Sequence, residues 1–309
     1  METIFAYLPK SLQGPLHDER FLQMFEDIEE IRIRVDRPIE ITANRTTHYV
    51  PYIVTMQDAE QLLEKLGNHS FYTLDEELKR GYITIRGGHR VGLAGRVILE
   101  NGRVKGIRDV SSFNIRIARE KIGVADPFIP LLYDTRWHHT MIIGPPQSGK
   151  TTFLRDLARI ISSGDKRRNI PPYKVGIVDE RSEIAGCVKG VPQLTFGTRI
   201  DVLDACPKAE GMMMLIRSMS PDVLVVDEIG RKEDTEAILE AVHAGIRLIM
   251  TTHGETTEEL KQRPTLRPIF EQNIFTRFIE LSRKNSPVIN VEIKNQRGQK
   301  ILEKRVLRK

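Results

Sequence analysis

The sequence is poor in several things that would otherwise define its class. Its 309 residues include two cysteines, Cys187 and Cys206, too far apart for a C-x-x-C pair and too few for a disulfide framework, so both read as free structural thiols. It has one tryptophan, and aromatics make up 6% of the chain, which argues against a base-stacking platform for nucleic acid. No stretch approaches the roughly 18 apolar residues of a membrane-spanning helix, and Met1–Lys10 lacks the basic start and apolar run of a signal peptide, so the expected location is the cytoplasm. No L-S-G-G-Q stretch marks a transporter cassette, and no lid module marks a small-molecule kinase.

What is present is length for about two domains and an ordinary balance of 40% hydrophobic and 29% charged residues. The formal net charge of +5 is unevenly placed. Lys79–Lys121 holds eleven Lys or Arg against three acids, and Arg283–Lys309 holds nine against two. Such clusters suit phosphates, nucleic acid or an anionic membrane face, and equally a solvated strand surface.

The chain is organised around residues 141–161. Met141-Ile142-Ile143 reads as a buried strand, and Gly144, Pro145, Pro146, Gln147, Ser148, Gly149, Lys150, Thr151 and Thr152 follow in the spacing G-x-x-x-x-G-K-[ST]. Apolar residues at Phe153, Leu154, Leu157, Ala158, Ile160 and Ile161 then recur at helical spacing. Strand, glycine loop and helix together make a phosphate cradle. Backbone N–H groups from Gln147 to Thr151 and the positive helix end face the phosphates. A side chain at Gly144 or Gly149 would obstruct that wrap. Lys150 supplies a mobile cation for the terminal phosphates of ATP, and the Thr151 hydroxyl is a ligand for Mg²⁺.

The flanking sequence divides readily. Helical pieces before residue 25 are broken at Pro9 and Gly14-Pro15, with a helix expected over Asp18–Phe25. Ile28–Val35 alternates as a half-buried strand with Ile39–Thr42 as its partner, and Thr55–Leu66 reads as a helix capped by Thr55 and Asp58 and ended by Gly67-Asn68. A short helix over Leu74–Leu78, strands at Tyr82–Ile85 and Val91–Val97, and a hairpin tip at Glu100-Asn101-Gly102 complete a small α+β domain, residues 1–125. Asp126-Pro127 and Pro130 suggest a linker over 126–136, followed by the nucleotide-binding domain, 137–309. Arg116 and Arg119 are candidates to contact a neighbouring subunit's nucleotide.

Beyond the loop, Lys174–Val178 is a strand ending in Asp179-Glu180-Arg181-Ser182-Glu183, carboxylates at the edge where parallel sheets bind ligands. Gly186–Gly197 reads as a long mobile loop, and Arg199 after it as a possible phosphate contact. Gly211–Met219 is a helix whose Met212, Met213 and Met214 read as core filler. Val223–Val226 suits a strand buried on both faces and stops at Asp227-Glu228. Asp227 there anchors Mg²⁺ and Glu228 polarises the attacking water, with Glu180 as the alternative carboxylate. After a helix over Thr235–Ala244, the strand Ile246–Met250 ends in Thr251, Thr252 and His253, polar groups placed to sense a terminal phosphate.

With these residues assembled, the chain resembles the stage III sporulation protein AA family. Those ATPases are similar in their core to the ring-forming ATPases of type II and type IV secretion. The resemblance rests on GPPQSGKT (Gly144–Thr151), VDERSEI (Val178–Ile184), the stretch Arg199–Gly230 and MTTHGET (Met250–Thr256). The secretion ATPases carry a phosphate loop, an acidic box, a strand-end carboxylate and a histidine box. Here these fall on Lys150 and Thr151, on Asp179, Glu180 and Glu183, on Glu228, and on His253. Two positions depart from the pattern: Asp227 stands where Gly is usual, and Gly230 displaces Arg231. The resemblance implies a RecA-like α/β core with a mostly parallel sheet. It also implies ATP and Mg²⁺ as cofactors, a hexameric ring, and membrane-embedded channel or secretion proteins as partners at the inner face of the membrane. A nucleic-acid-bound ATPase is the alternative suggested by the basic segments.

Overall fold

Apolar–charged alternation after Ile28 predicts a strand lying on a core, and β1 spans Ile28–Arg34 with Ile28, Ile31 and Ile33 buried. A register shift between Ile28 and Glu30 lets two isoleucines three apart face the same way. The computed structural model describes residues 2–24, 26–67, 77–282 and 288–307, and divides into two units, Met1–Arg119 and Glu120–Lys309.

The first unit is built on an antiparallel six-stranded sheet, ordered β3-β2-β1-β6-β5-β4. Its other strands are β2 (Pro38–Ala43), β3 (Thr46–Ile53), β4 (Tyr82–Ile85), β5 (His89–Glu100) and β6 (Arg103–Arg116). Asn101 and Gly102 both take positive φ, 51° and 73°, the two-residue tip that Asn-Gly favours. β3 is not foreseen by the sequence. It is mostly exposed, so it lacks alternation, and its turn is made by Asn44 and Arg45 at positive φ without glycine. Helix Met56–Leu66 carries the expected reciprocal cap: Asp58 N–H donates to Thr55 Oγ1 (3.2 Å) and Thr55 N–H to Asp58 Oδ2 (2.8 Å). Helix Lys10–Leu16 runs through Gly14-Pro15, where a break was expected. Pro15 lies in its last turn, and buried Leu12 and Leu16 hold the turn to the core. The helix expected over Asp18–Phe25 contracts to Glu19–Leu22, with Phe25 outside the described residues. Most of the helix expected over Leu74–Leu78 also lies outside them.

The second unit holds an eight-stranded sheet, ordered β14-β13-β12-β7-β11-β10-β8-β9. β7 (Thr140–Gly144), β8 (Val175–Asp179), β9 (Ile200–Asp204), β10 (Val223–Val226), β11 (Arg247–His253) and β12 (Arg277–Ser282) run parallel. β13 (Val288–Asn295) and β14 (Lys300–Leu307) add an antiparallel edge. β7, β8 and β10 are buried throughout, as uninterrupted apolar runs require in a covered parallel sheet. In the helix Lys208–Ser218, Met212 is fully buried and Met213 packs against the core, but Met214 is exposed.

Residues 126–136, expected as a linker, fall inside this second unit, and three of them are in its core. Pro127 and Pro130 stand at the first turns of short helical segments, Asp126–Phe128 and Ile129–Leu132, where proline is favoured. Phe128, Ile129, Leu132 and Trp137 are fully buried, and Asp156 accepts the N–H groups of Gly123 (3.1 Å) and Ala125 (2.8 Å). The Gly186–Gly197 loop is likewise pinned. Gly197 N–H donates to Ser162 Oγ at 2.9 Å, and a Cβ on Gly197 would lie 2.2 Å from the Ser162 backbone. Among the described residues no helix is long and apolar enough to cross a membrane.

Candidate active site

Because the inner strands are parallel, their C-terminal ends share one edge, and the loop and helix following β7 open there. Gly149 takes φ 96° and starts the helix Lys150–Ser163, which has no side-chain cap, so its first N–H groups are unclaimed by a capping side chain. Gly144 is required by space rather than by φ. A Cβ there would sit 2.4 Å from Ser148 Oγ and 2.8 Å from the carbonyl oxygen of Leu281. At Gly149 a Cβ would meet only Ile289, at 3.3 Å, so that glycine serves its positive φ. Pro145 to Gln147 form the outer part of the loop, with Pro146 and Gln147 exposed, and Thr152 is half-buried on the helix.

Five of the expected residues, Lys150, Thr151, Asp227, Glu228 and His253, converge on this edge. Lys150 Nζ donates to the carbonyl oxygens of Gly144 (2.8 Å) and Pro145 (3.0 Å) and lies 3.2 Å from His253 Nδ1. His253 Nε2 lies 2.9 Å from Glu228 Oε1. One tautomer satisfies both contacts: Nδ1 accepts from the lysine, and Nε2–H donates to the carboxylate. Thr151 Oγ1 donates to Asp227 Oδ2 at 2.7 Å, and Thr251 Oγ1 donates to the other oxygen. Burial lowers the pKa of Lys150, and the Asp227 and Glu228 charges oppose that effect. Glu228 has φ 56°, and its N–H donates to Thr251 Oγ1 at 2.8 Å, so the chain turns sharply where the strand ends.

The acidic box has a different character from that expected. Asp179 is buried and accepts the N–H groups of Glu183 (2.8 Å), Ile184 (3.0 Å) and Ala185 (2.9 Å). Burial pushes its pKa up to about 6 although those donors pull the other way. Glu180 is ion-paired with Lys208. Arg199 is a correction: its carbonyl accepts from Val175 N–H, which puts it at the N-terminal end of β8 and β9, opposite its own subunit's phosphate loop. Arg116 is 61% exposed, 3.7 Å from Glu30, whereas Arg119 donates to the carbonyl of Ile28 at 2.8 Å. Three residues escaped the sequence reading. Arg181 pairs with Glu228 Oε2 at 2.9 Å, Arg263 donates to the carbonyl of His253 at 2.6 Å, and Arg155 donates to the carbonyl of Ile184 at 2.7 Å. Only Arg181 carried a signal, its place inside the acidic strand end.

The residues fit a nucleotide with Mg²⁺. Ser148 Oγ is buried inside the loop with no hydrogen-bond partner among the described residues, and the Gly144 cradle leaves no room for a side chain. Thr151 and Asp227 form the hydroxyl–carboxylate oxygen set that Mg²⁺ takes beside phosphate and water.

The family profile "Sporulation stage III, protein AA" matches residues 2–301. The stage III sporulation protein AA of Bacillus subtilis (strain 168) is 58% identical over 287 residues, covering 93% of this chain and 92% of that one. A protein called ycf45 in Cyanidium caldarium is 33% identical over 162 residues, 51% of this chain and 45% of its own. Among solved structures, the Legionella pneumophila ATPase DotB matches with TM-score 0.57 at 16% identity, covering 91% of this chain and 81% of DotB. The pilus retraction motor PilT, solved with bound ADP, matches with TM-score 0.61 at 15% identity, covering 90% and 82%. At such identities the likeness is one of fold: an α/β, RecA-like core.

Proposed function

Since the chain belongs to the stage III sporulation protein AA family, we propose that it is an ATP-hydrolysing motor. In this reading it works as a hexameric ring at the cytoplasmic face of the membrane and energises a channel or secretion-type apparatus during sporulation. The observation that carries the reading is the meeting of two elements 76 residues apart, Thr151 Oγ1 on Asp227 Oδ2, beside the Lys150–His253–Glu228 chain. A glycine turn that merely caps a helix has no need of that meeting.

Each residue takes a defined task. The N–H groups of Gln147–Thr151 and the Lys150 ammonium bind the terminal phosphates. Thr151 and Asp227 are the residues that would hold Mg²⁺, which supplies charge neutralisation at the transferring phosphoryl group. Glu228 orients and polarises water, accepting its proton as the new bond forms. His253 links Glu228 to Lys150, so the state of the phosphate end is felt at the carboxylate.

The test is ATP turnover by the purified chain against Lys150→Ala. The variant keeps its circular dichroism spectrum but falls to background turnover. Equal rates in the two proteins would remove the reading.

A further inference from the structure

Both oxygens of the Glu228 carboxylate are held, and the second holder lies outside the tasks above. His253 Nε2 stands at Oε1 and Arg181 Nη1 at Oε2, each 2.9 Å away. The left-handed backbone at Glu228, φ 56°, means that the strand direction does not aim its side chain. The aim comes from Thr251 at the N–H and from the two nitrogen donors at the oxygens.

The turn that presents Arg181 is fixed without help from its guanidinium. Asp179 accepts the three N–H groups just downstream, and Ser182, itself at φ 54°, donates Oγ to Asp204 Oδ1 at 2.6 Å. Lys208 pairs with Glu180, and Arg155, from the phosphate-loop helix, donates to the carbonyls of Glu183 and Ile184. The turn is thus tied on both sides of position 181, and to the very helix that follows the loop. The Arg181 side chain is 60% exposed, and an ion pair so exposed adds little to stability. A stiff support that offers one cation to one carboxylate is what holding a reacting group in place requires.

We propose that Arg181 is a positioning residue for hydrolysis, acting within its own subunit: it holds the Glu228 carboxylate in the orientation from which that group polarises water. The assignment rests on the ATPase reading above. It predicts a defect in turnover rather than in nucleotide binding, because Arg181 acts through Glu228.

The experiment uses the full chain and four variants, Arg181→Ala, Arg181→Lys, Glu228→Gln and the double Arg181→Ala/Glu228→Gln. It measures steady-state ATP turnover, equilibrium binding of a fluorescent ATP analogue, and thermal melting. Arg181→Ala lowers kcat about 10- to 100-fold, the scale of a misplaced reacting group, while analogue Kd and melting temperature stay near wild type. Arg181→Lys recovers part of the loss, since a point charge replaces a planar fork. The double variant turns over no more slowly than Glu228→Gln alone, because the carboxylate through which Arg181 acts is already gone. Unchanged kcat in Arg181→Ala overturns the assignment, as does a Kd that weakens in step with kcat. Additive losses in the double variant also overturn it, by showing that Arg181 acts on the phosphates themselves. If wild type turns over no faster than Lys150→Ala, the ATPase reading fails and the assignment goes with it.

Discussion

Replacing Glu228 by Gln keeps the side chain's shape and removes the carboxylate, so ATP binds as before and persists. Turnover falls about 10²–10⁴-fold, or roughly 3–5 kcal/mol of barrier, measurable as retained nucleotide on the purified variant. Asp179 makes a prediction about pH. Its pKa rises from 3.8 to about 6 on folding, so between those values the folded chain binds the extra proton. Stability is therefore highest below pH 4 in this contribution and is lost as pH rises through 6, by up to about 3 kcal/mol. Urea unfolding of wild type and Asp179→Asn across that range shows it: wild type loses ground relative to the variant as pH rises, and parallel curves would contradict the account. At this scale the sequence was informative wherever chemistry follows strand ends. Lys150, Thr151, Asp227, Glu228 and His253 could be placed together because each terminates or follows a parallel strand. Arg181 could not, since its partner is chosen by a turn whose shape depends on Asp179, Ser182 and Arg155.

Among elements, the Gly186–Gly197 segment offers the clearest test. Gly197→Ala forces a methyl group against the Ser162 backbone, so it destabilises by about 1–3 kcal/mol and lowers the melting temperature. Gly230→Ala, where no atom of the described residues beyond its chain neighbours lies within 4 Å of the new Cβ, leaves it unchanged. Equal melting of the two variants would show that the segment is not pinned. Strands with a plain burial pattern, such as β1 and β10, were legible, and so was the Thr55–Asp58 cap. β3 and β9 were not, because neither edge strand alternates between buried and exposed residues: β3 is mostly exposed, and every residue of β9 is half-buried. The 126–136 segment misled for a related reason: proline marks a break and a helix start equally well, and only the buried Phe128, Ile129 and Leu132 decide between them.

For the whole molecule the ring remains a proposal, and its mark is hydrolysis per subunit that rises with protein concentration as rings form, read together with solution mass in ATP and Mg²⁺. Arg116 is the freer of the two N-terminal arginines, since Arg119 is bound to the Ile28 carbonyl. If Arg116 serves a neighbour's site, Arg116→Ala subunits mixed with Lys150→Ala subunits recover activity at interfaces that pair an intact loop with an intact arginine. No recovery in rings shown to be mixed excludes it. The motor reading expects no stimulation of turnover by nucleic acid at physiological salt; steep salt-dependent binding with stimulation would favour the alternative. Some of the tail's basic residues already have protein partners, Lys294 with Glu280 and Lys300 with Glu292 and Glu303.

The sheet order has a consequence for how the chain is made. β7 is synthesised first among the parallel strands, yet its two neighbours, β11 and β12, come last. At about 5–20 residues per second, the ribosome takes roughly 5–20 seconds to pass from the end of β7 to the start of β11. Throughout that interval Met141, Ile142 and Ile143 have no strand to lie against, and the Leu281 carbonyl that backs Gly144 does not yet exist. The phosphate cradle is thus among the last features a newborn chain completes, and nucleotide can guide its final folding but not its beginning.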